Sequence, residues 1–151
     1  MVATNTFIRD LILFIRNDLE TNITDPISAK RTSAENFVHS AYPQRPVQYP
    51  IITVKTINIA DDRRLGMQSE QHMTNITLEI RIWARNVQEK DGLSQSVLNR
   101  LRSNQFSGAG TSTNEDVHDF TILSVSDVDE SGEGGIKSKV IQCKYMFVLG
   151  S

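Results

Sequence analysis

The stretch that decides the fold is TNITLEIRIWAR, which runs from Thr74 to Arg85. Its residues alternate as they do in a β-strand, where successive side chains point to opposite faces of a sheet. The apolar side consists of Ile76, Leu78, Ile80 and Ile82. The mixed side consists of Thr77, Glu79, Arg81 and Trp83. We therefore expect one face of this strand to lie beneath helices and the other to meet water or a neighbouring subunit.

Three further segments have strand character. Residues 51–59, IITVKTINI, form a β-branched run that starts directly after a proline, and residues 120–128 and 136–149 are similarly rich in β-formers. The connections 60–73 and 129–135 contain polar residues and no helical pattern. This arrangement predicts two antiparallel hairpins.

Two segments have the apolar spacing of amphipathic helices. The first runs from Thr6 to Leu19, and the second from Asp91, which we expect to cap it, to Leu101. The sequence thus predicts an α+β fold: a mainly antiparallel four-stranded sheet with two helices packed on one face, in a single domain over residues 1–151. A long loop at 27–50, rich in proline and tyrosine, and a projecting hairpin arm at 60–73 complete the prediction.

Length and composition limit the classes of function. The chain has 151 residues, 38% of them hydrophobic and 23% charged, as in a soluble globular domain. A net charge of -2 gives no bulk basicity for binding nucleic acid. Cys143 is the only cysteine and no secretory signal precedes the first helix, so we expect a cytoplasmic protein. No apolar run approaches the roughly 20 residues that span a bilayer.

The sequence offers no recognisable catalytic or cofactor-binding constellation, so the prediction is that the protein is not an enzyme and holds no cofactor. His39, His72 and His118 lack the spacing of metal ligands. The acidic turn that begins at Asp127 starts like an EF-hand loop, but Ser138 stands where the bidentate glutamate is required. An acidic hairpin turn is therefore favoured over a calcium site.

Two charged or polar regions have two interpretations each. The arm carries Arg63, Arg64, Leu65 and Met67, which suit contact with a neighbouring subunit or simply form a solvated loop. Residues 114–135 contain seven acidic and no basic side chains. Such a segment is a solvated face, or the repulsive wall of a passage for polyanions.

The order of elements and several local sequences resemble the tail terminator and tail-completion proteins of tailed viruses, small chains that assemble as a hexameric ring on the tail tube. The residues that carry this likeness are the amphipathic start at 7–19, SAYP at 40–43, YPIITV at 49–54, IRIWAR at 80–85 with the helix that follows, and the closing strand at 137–147. The likeness covers nearly the whole chain. No motif in the sequence is specific enough to exclude the related head-to-tail connector proteins.

The resemblance implies a structural virion protein. It implies a homo-oligomer, as a hexamer, that caps the tail tube protein, ends tube polymerisation and joins a head-tail connector protein. DNA would pass through this ring without specific binding, and no membrane would be involved. The location implied is the virion tail, assembled in the host cytoplasm. The competing interpretation is a monomeric module that holds one protein partner through the proline-tyrosine loop or the arm.

Two sets of site residues follow as hypotheses. The subunit interface would contain Arg63, Arg64, Leu65, Met67, Glu79, Arg81 and Trp83. The wall of the channel would contain Glu115, Asp116, Asp127, Asp129, Glu130 and Glu133.

Overall fold

The computed structural model describes residues 7–31, 35–44, 47–64, 72–104, 117–128 and 136–149. Two helices and five strands follow one another through these ranges. They are α1 (Phe7–Asn22), β1 (Val38–His39), β2 (Ile51–Arg64), β3 (His72–Ala84), α2 (Val87–Asn104), β4 (Val117–Val128) and β5 (Lys137–Leu149). The chain therefore has the α+β fold that the sequence predicts.

The strands form one open sheet in the order β1-β2-β3-β5-β4. Neighbouring strands are antiparallel, except that β1 runs parallel to β2. The prediction of four strands is wrong by one, because β1 comes from the segment 27–50 that we predicted to be a loop. A strand of two residues is too short for a period-2 pattern, and its position depends on distant partners, such as the hydrogen bond from Ile52 N to Phe37 O at 3.0 Å.

The core lies between the sheet and the two helices. The four apolar residues on one side of β3 are fully buried, and they share one hydrophobic cluster with residues of both helices, so the predicted packing of the helices on one face is confirmed. The helical members of this cluster are Leu11, Ile15, Leu19, Leu93, Val97, Leu98 and Leu101. Burial of each such side chain stabilises the fold by about 1.5–3 kcal/mol, which explains why the alternation in β3 fixes the orientation of the sheet.

Two predicted boundaries differ from the structure. The second helix begins at Val87, and the side chain of Asn86 caps it by accepting the backbone N–H of Glu89 at 2.8 Å. The expectation that Asp91 caps this helix is therefore wrong. Half of the connection predicted at 60–73 is strand, since β2 continues to Arg64 and β3 begins at His72; the other half, 65–71, lies outside the described residues.

Charged side chains anchor the segment between α1 and β2. Arg31 forms an ion pair with Asp25 at 2.6 Å and donates to the carbonyl of Pro50 at 2.6 Å. Glu20 of α1 accepts the backbone N–H of Val38 at 2.8 Å. These contacts place β1 beside β2 and bring the following residues to the edge of the sheet.

Candidate functional site

The strongest candidate for a binding surface is the face of the sheet opposite the two described helices, which we call the open face. Its central side chains belong to three adjacent strands, as the register shows: Thr53 lies opposite Arg81, Lys55 opposite Glu79, and Arg81 opposite Val140. An apolar face would need further cover, whereas this one is mixed in character.

An ion-pair network crosses the open face. The carboxylate of Glu79 lies 3.1 Å from Nε of Arg81 and 3.8 Å from Nζ of Lys55. The side chain of Glu79 is only 12% exposed, so its charge depends on these two cations for compensation. The distance from Arg81 is that of an ion pair, but Nε of Arg81 makes no aligned hydrogen bond within the described part of the chain.

Two aromatic residues continue the network. The guanidinium of Arg81 lies 5.0 Å from the ring centroid of Trp83, within range of a cation–π contact. Tyr42 meets the same ring edge-on, with centroids 5.0 Å apart. Nε1 of Trp83 donates to Oγ1 of Thr53 at 3.1 Å, which fixes the orientation of the indole. We call Tyr42, Arg81 and Trp83 the aromatic platform.

Three of the residues predicted for the subunit interface come together here. Glu79, Arg81 and Trp83 lie side by side on the open face, and Trp83 is half-buried on the side away from the helices, as the alternation predicts. Arg63 and Arg64 form the end of β2, but their side chains lie outside the described residues. Leu65 and Met67 also lie outside them, so the part of the interface hypothesis that concerns the arm stays a prediction.

Sequence reasoning missed Tyr42, Thr53 and Lys55. Lys55 could have been found from the hairpin, because a basic residue opposite Glu79 is a favourable cross-strand pair once the register is known. Tyr42 belongs to the long loop that the sequence predicts at 27–50, but the contact between Tyr42 and Trp83 joins residues far apart in the chain. No local pattern predicts such a contact.

Among the residues predicted to line a channel, Asp127 is the one that the structure describes. It lies on the helix-bearing side of the sheet, where its carboxylate is 2.8 Å from Nζ of Lys90 and 3.7 Å from Nζ of Lys139. The hydrogen bond from Lys90, with the nearby charge of Lys139, lowers the pKa of Asp127. Two lysines thus balance this acid locally. The other five predicted residues, Glu115, Asp116, Asp129, Glu130 and Glu133, lie outside the described residues.

Two surface clefts occur elsewhere on the described part of the molecule. One, of about 420 Å³, lies at the start of α2 and is lined by Pro26, Asn86, Gln88, Glu89, Gly92 and Leu93. The other, of about 310 Å³, lies at the end of α1 and is lined by Glu20, Ile23, Asp25, Ser28, Arg31, Glu35 and Phe37. In the second cleft, Arg31 binds Asp25 and backbone carbonyls, and Glu20 accepts the backbone N–H of Val38. Oε2 of Glu35 is buried there without a hydrogen-bond partner among the described residues.

The groups most able to carry chemistry are dispersed. Cys143 is fully buried in the core, and burial raises the pKa of its thiol to about 12. Burial also lowers the pKa of His39. Over the described ranges, no three His, Cys, Asp or Glu side chains converge in a way that would hold a metal ion. None of the described helices is long and apolar enough to cross a membrane.

Comparison with known proteins found no family model that matches the chain and no curated protein with significant similarity to it. Function is therefore inferred from the geometry of the open face.

Proposed function

We propose that this chain is a structural virion protein that forms a ring at the head-proximal end of a viral tail tube. The observation that carries the proposal is the aromatic platform, where Tyr42, Arg81 and Trp83 lie together on the open face. Tryptophan, tyrosine and arginine are the residue types most enriched at the energetic centres of protein interfaces. The open face is thus suited to bind another protein subunit of the tail.

The platform is held in place before any partner arrives. Glu79 fixes Arg81, and Thr53 fixes Trp83. Ordering a free arginine or tryptophan side chain at an interface costs about 0.5–1.5 kcal/mol. Much of that cost is already met within the chain, because both side chains contact their neighbours before a partner binds.

The remaining parts of the proposal extend the resemblance in element order. Copies of the chain form a homo-oligomer, as a hexamer, that ends polymerisation of the tail tube protein and presents a surface to the head-tail connector protein. DNA passes through the ring without specific binding. The ring functions in the virion tail after assembly in the host cytoplasm.

The test is to measure assembly of the purified chain by light scattering and negative-stain electron microscopy, alone and with tail tube protein. Rings of several 17.0 kDa subunits, or caps on tube ends, are expected. A strict monomer at high concentration that does not bind tubes would refute the proposal and favour a monomeric protein-binding module. A ring that binds heads but not tubes would indicate a neck connector.

Variants of the platform test its part in the contact. Arg81→Ala and Trp83→Ala should each lower affinity for the partner subunit at least tenfold, since truncation of a central interface residue costs about 2 kcal/mol or more. Leu13→Ala is the matched control, because Leu13 is an exposed apolar residue of α1, far from the open face. If Arg81→Ala, folded by circular dichroism, binds the tail tube protein as tightly as the control does, the platform is not the contact with that subunit.

A further inference from the structure

In the described part of the chain, strand edges without a neighbouring strand lie at opposite sides of the sheet. On one side, β4 ends the order of strands, and β5 is the strand that pairs with it among the described residues. On the other side, β1 pairs with β2 at Ile52 and Thr53 alone, so the outer edge of β2 from Lys55 onward has no strand beside it in the described part of the chain. Open edges expose backbone N–H and C=O groups, and they act as templates for pairing with another strand.

Exposed apolar side chains are concentrated on these two edges. On β2, Ile57 is 45% exposed and Ile59 is 42% exposed; on β4, Leu123 is 48% exposed and Val125 is 39% exposed. The described residues include three other large apolar side chains with comparable exposure, Leu13, Tyr42 and Val87. Edges that remain in solvent are usually protected by charges, proline or β-bulges. Each of these two edges contains a bulge, but neither has a proline or a charge between its two exposed apolar residues.

One residue of each apolar pair, Ile59 or Val125, lies on the same side of the sheet. Ile59 is opposite Ile76 on β3, and Val125 is opposite Ile141 on β5. Ile76 and Ile141 both belong to the core beneath the helices, so Ile59 and Val125 point to the helix-bearing side. Ile57 and Leu123 each lie at a β-bulge next to these positions.

Strand direction makes the two edges compatible. β2 and β5 run one way, while β3 and β4 run the other. If a second copy continues the sheet in the same orientation, its β4 lies antiparallel to β2, which is the more stable ladder. Lys55 lies on the open face and Asp127 on the helix-bearing side, so the match between the edges rests on strand direction and on the exposed apolar residues.

We propose that copies of this chain join head to tail, with the β4 edge of one copy (122–128) adding as an antiparallel strand to the β2 edge of the next (55–60). The apolar pair of one edge then packs beside the pair of the other, and one sheet continues from subunit to subunit. Such a heterologous contact closes into a ring when a whole number of equal rotations between neighbouring subunits adds up to a full turn. This inference rests on the proposed function. The edge contact joins neighbouring copies within the ring, so the aromatic platform remains free to bind another tail subunit.

Disulfide crosslinking between single-cysteine variants tests this arrangement. Ile59→Cys and Leu123→Cys are purified as full chains, oxidised alone and as an equal mixture, and compared with Val87→Cys, an exposed apolar control on α2. The native Cys143 is buried and does not compete for oxidation. We expect covalent dimers in the mixture at least tenfold above either variant alone, and none with the control.

The other outcomes separate this inference from the proposed function. Dimers of Leu123→Cys alone would show two-fold pairing of β4 with β4 and overturn the head-to-tail contact. Rings seen by electron microscopy without crosslinks in the mixture would overturn the edge contact and leave the ring intact. Crosslinks in the mixture with open filaments would support the edge contact and refute the ring. A strict monomer would overturn both.

Discussion

At the scale of single residues, Arg31 contributes most to the order of the segment between α1 and β2. Its guanidinium binds Asp25, donates to the carbonyls of Gln48 and Pro50, and lies 5.4 Å from the ring centroid of Phe37. Its side chain is only 4% exposed. A planar fork of donors can serve an acid and two carbonyls at once, which a lysine ammonium on a flexible stem does not reproduce.

Arg31→Ala should lower the free energy of unfolding by about 3–5 kcal/mol, because it leaves Asp25 without its buried partner and two carbonyls without a donor. Arg31→Lys should recover only part of this loss. Urea denaturation monitored by circular dichroism measures both. Lys30→Ala, at an exposed neighbouring position, should change stability by no more than about 0.5 kcal/mol. An Arg31→Ala variant as stable as Lys30→Ala would contradict this role.

Some residue positions could be predicted from the sequence and others could not. The alternation in 76–83 placed Ile80 in the core and Trp83 on the opposite face, because period 2 is a local property of a strand. The role of Arg31 depends on carbonyls 17 and 19 residues further along the chain. Such contacts arise from the path of the chain in space, which no local pattern specifies.

At the scale of elements, the start of α2 is a compact polar motif. Asn86 accepts the backbone N–H of Glu89, and the Glu89 carboxylate in turn accepts the backbone N–H and the guanidinium of Arg85. This reciprocal arrangement is close to a capping box. It also explains why the helix starts four residues before Asp91: Asn86 with Glu89 three residues later is the stronger cap, and Gly92 is tolerated within the helix.

The bond to Arg85 lowers the pKa of Glu89 below its ordinary value of 4.5. A carboxyl with a depressed folded-state pKa stabilises the fold above 4.5, and this contribution is lost as the pH falls through the folded value. Glu89→Gln should therefore be less stable than the parent chain at pH 7 by about 0.5–1 kcal/mol, with a gap that narrows below pH 4.5. Urea denaturation at several pH values measures the gap.

The Arg85→Ala background supplies the control for this prediction. Without the guanidinium, the effect of Glu89→Gln at pH 7 should fall by about half, and its dependence on pH should weaken. A gap between Glu89→Gln and the parent chain that stays constant from pH 7 to pH 3 would mean that the ion pair makes no contribution.

At the scale of the whole molecule, the two faces of the sheet differ in how they use charge. On the helix-bearing side, Asp127 is balanced by Lys90 and Lys139, so this acid adds little to a repulsive wall. On the open face, Glu79 is balanced by Arg81 and Lys55. Locally neutral faces favour association through shape and apolar area over long-range steering. Among the described residues, four of the seven exposed large apolar side chains lie on the two open strand edges.

Assembly through those edges should make the stability of the molecule depend on protein concentration, since binding of the folded state alone raises the unfolding midpoint by mass action. We expect the midpoint of thermal unfolding to rise by about 3–6 °C for each tenfold increase in concentration, because a factor of ten corresponds to about 1.4 kcal/mol and 1 kcal/mol shifts the midpoint of a domain of this size by about 2–4 °C. Leu123→Lys puts a charge on the β4 edge and should abolish this dependence. Val87→Lys, which places a charge at an exposed apolar position on α2, should keep this dependence on concentration.

A midpoint of unfolding that is independent of concentration in the parent chain would contradict assembly through any surface. A dependence that survives in Leu123→Lys would place the contact elsewhere on the molecule.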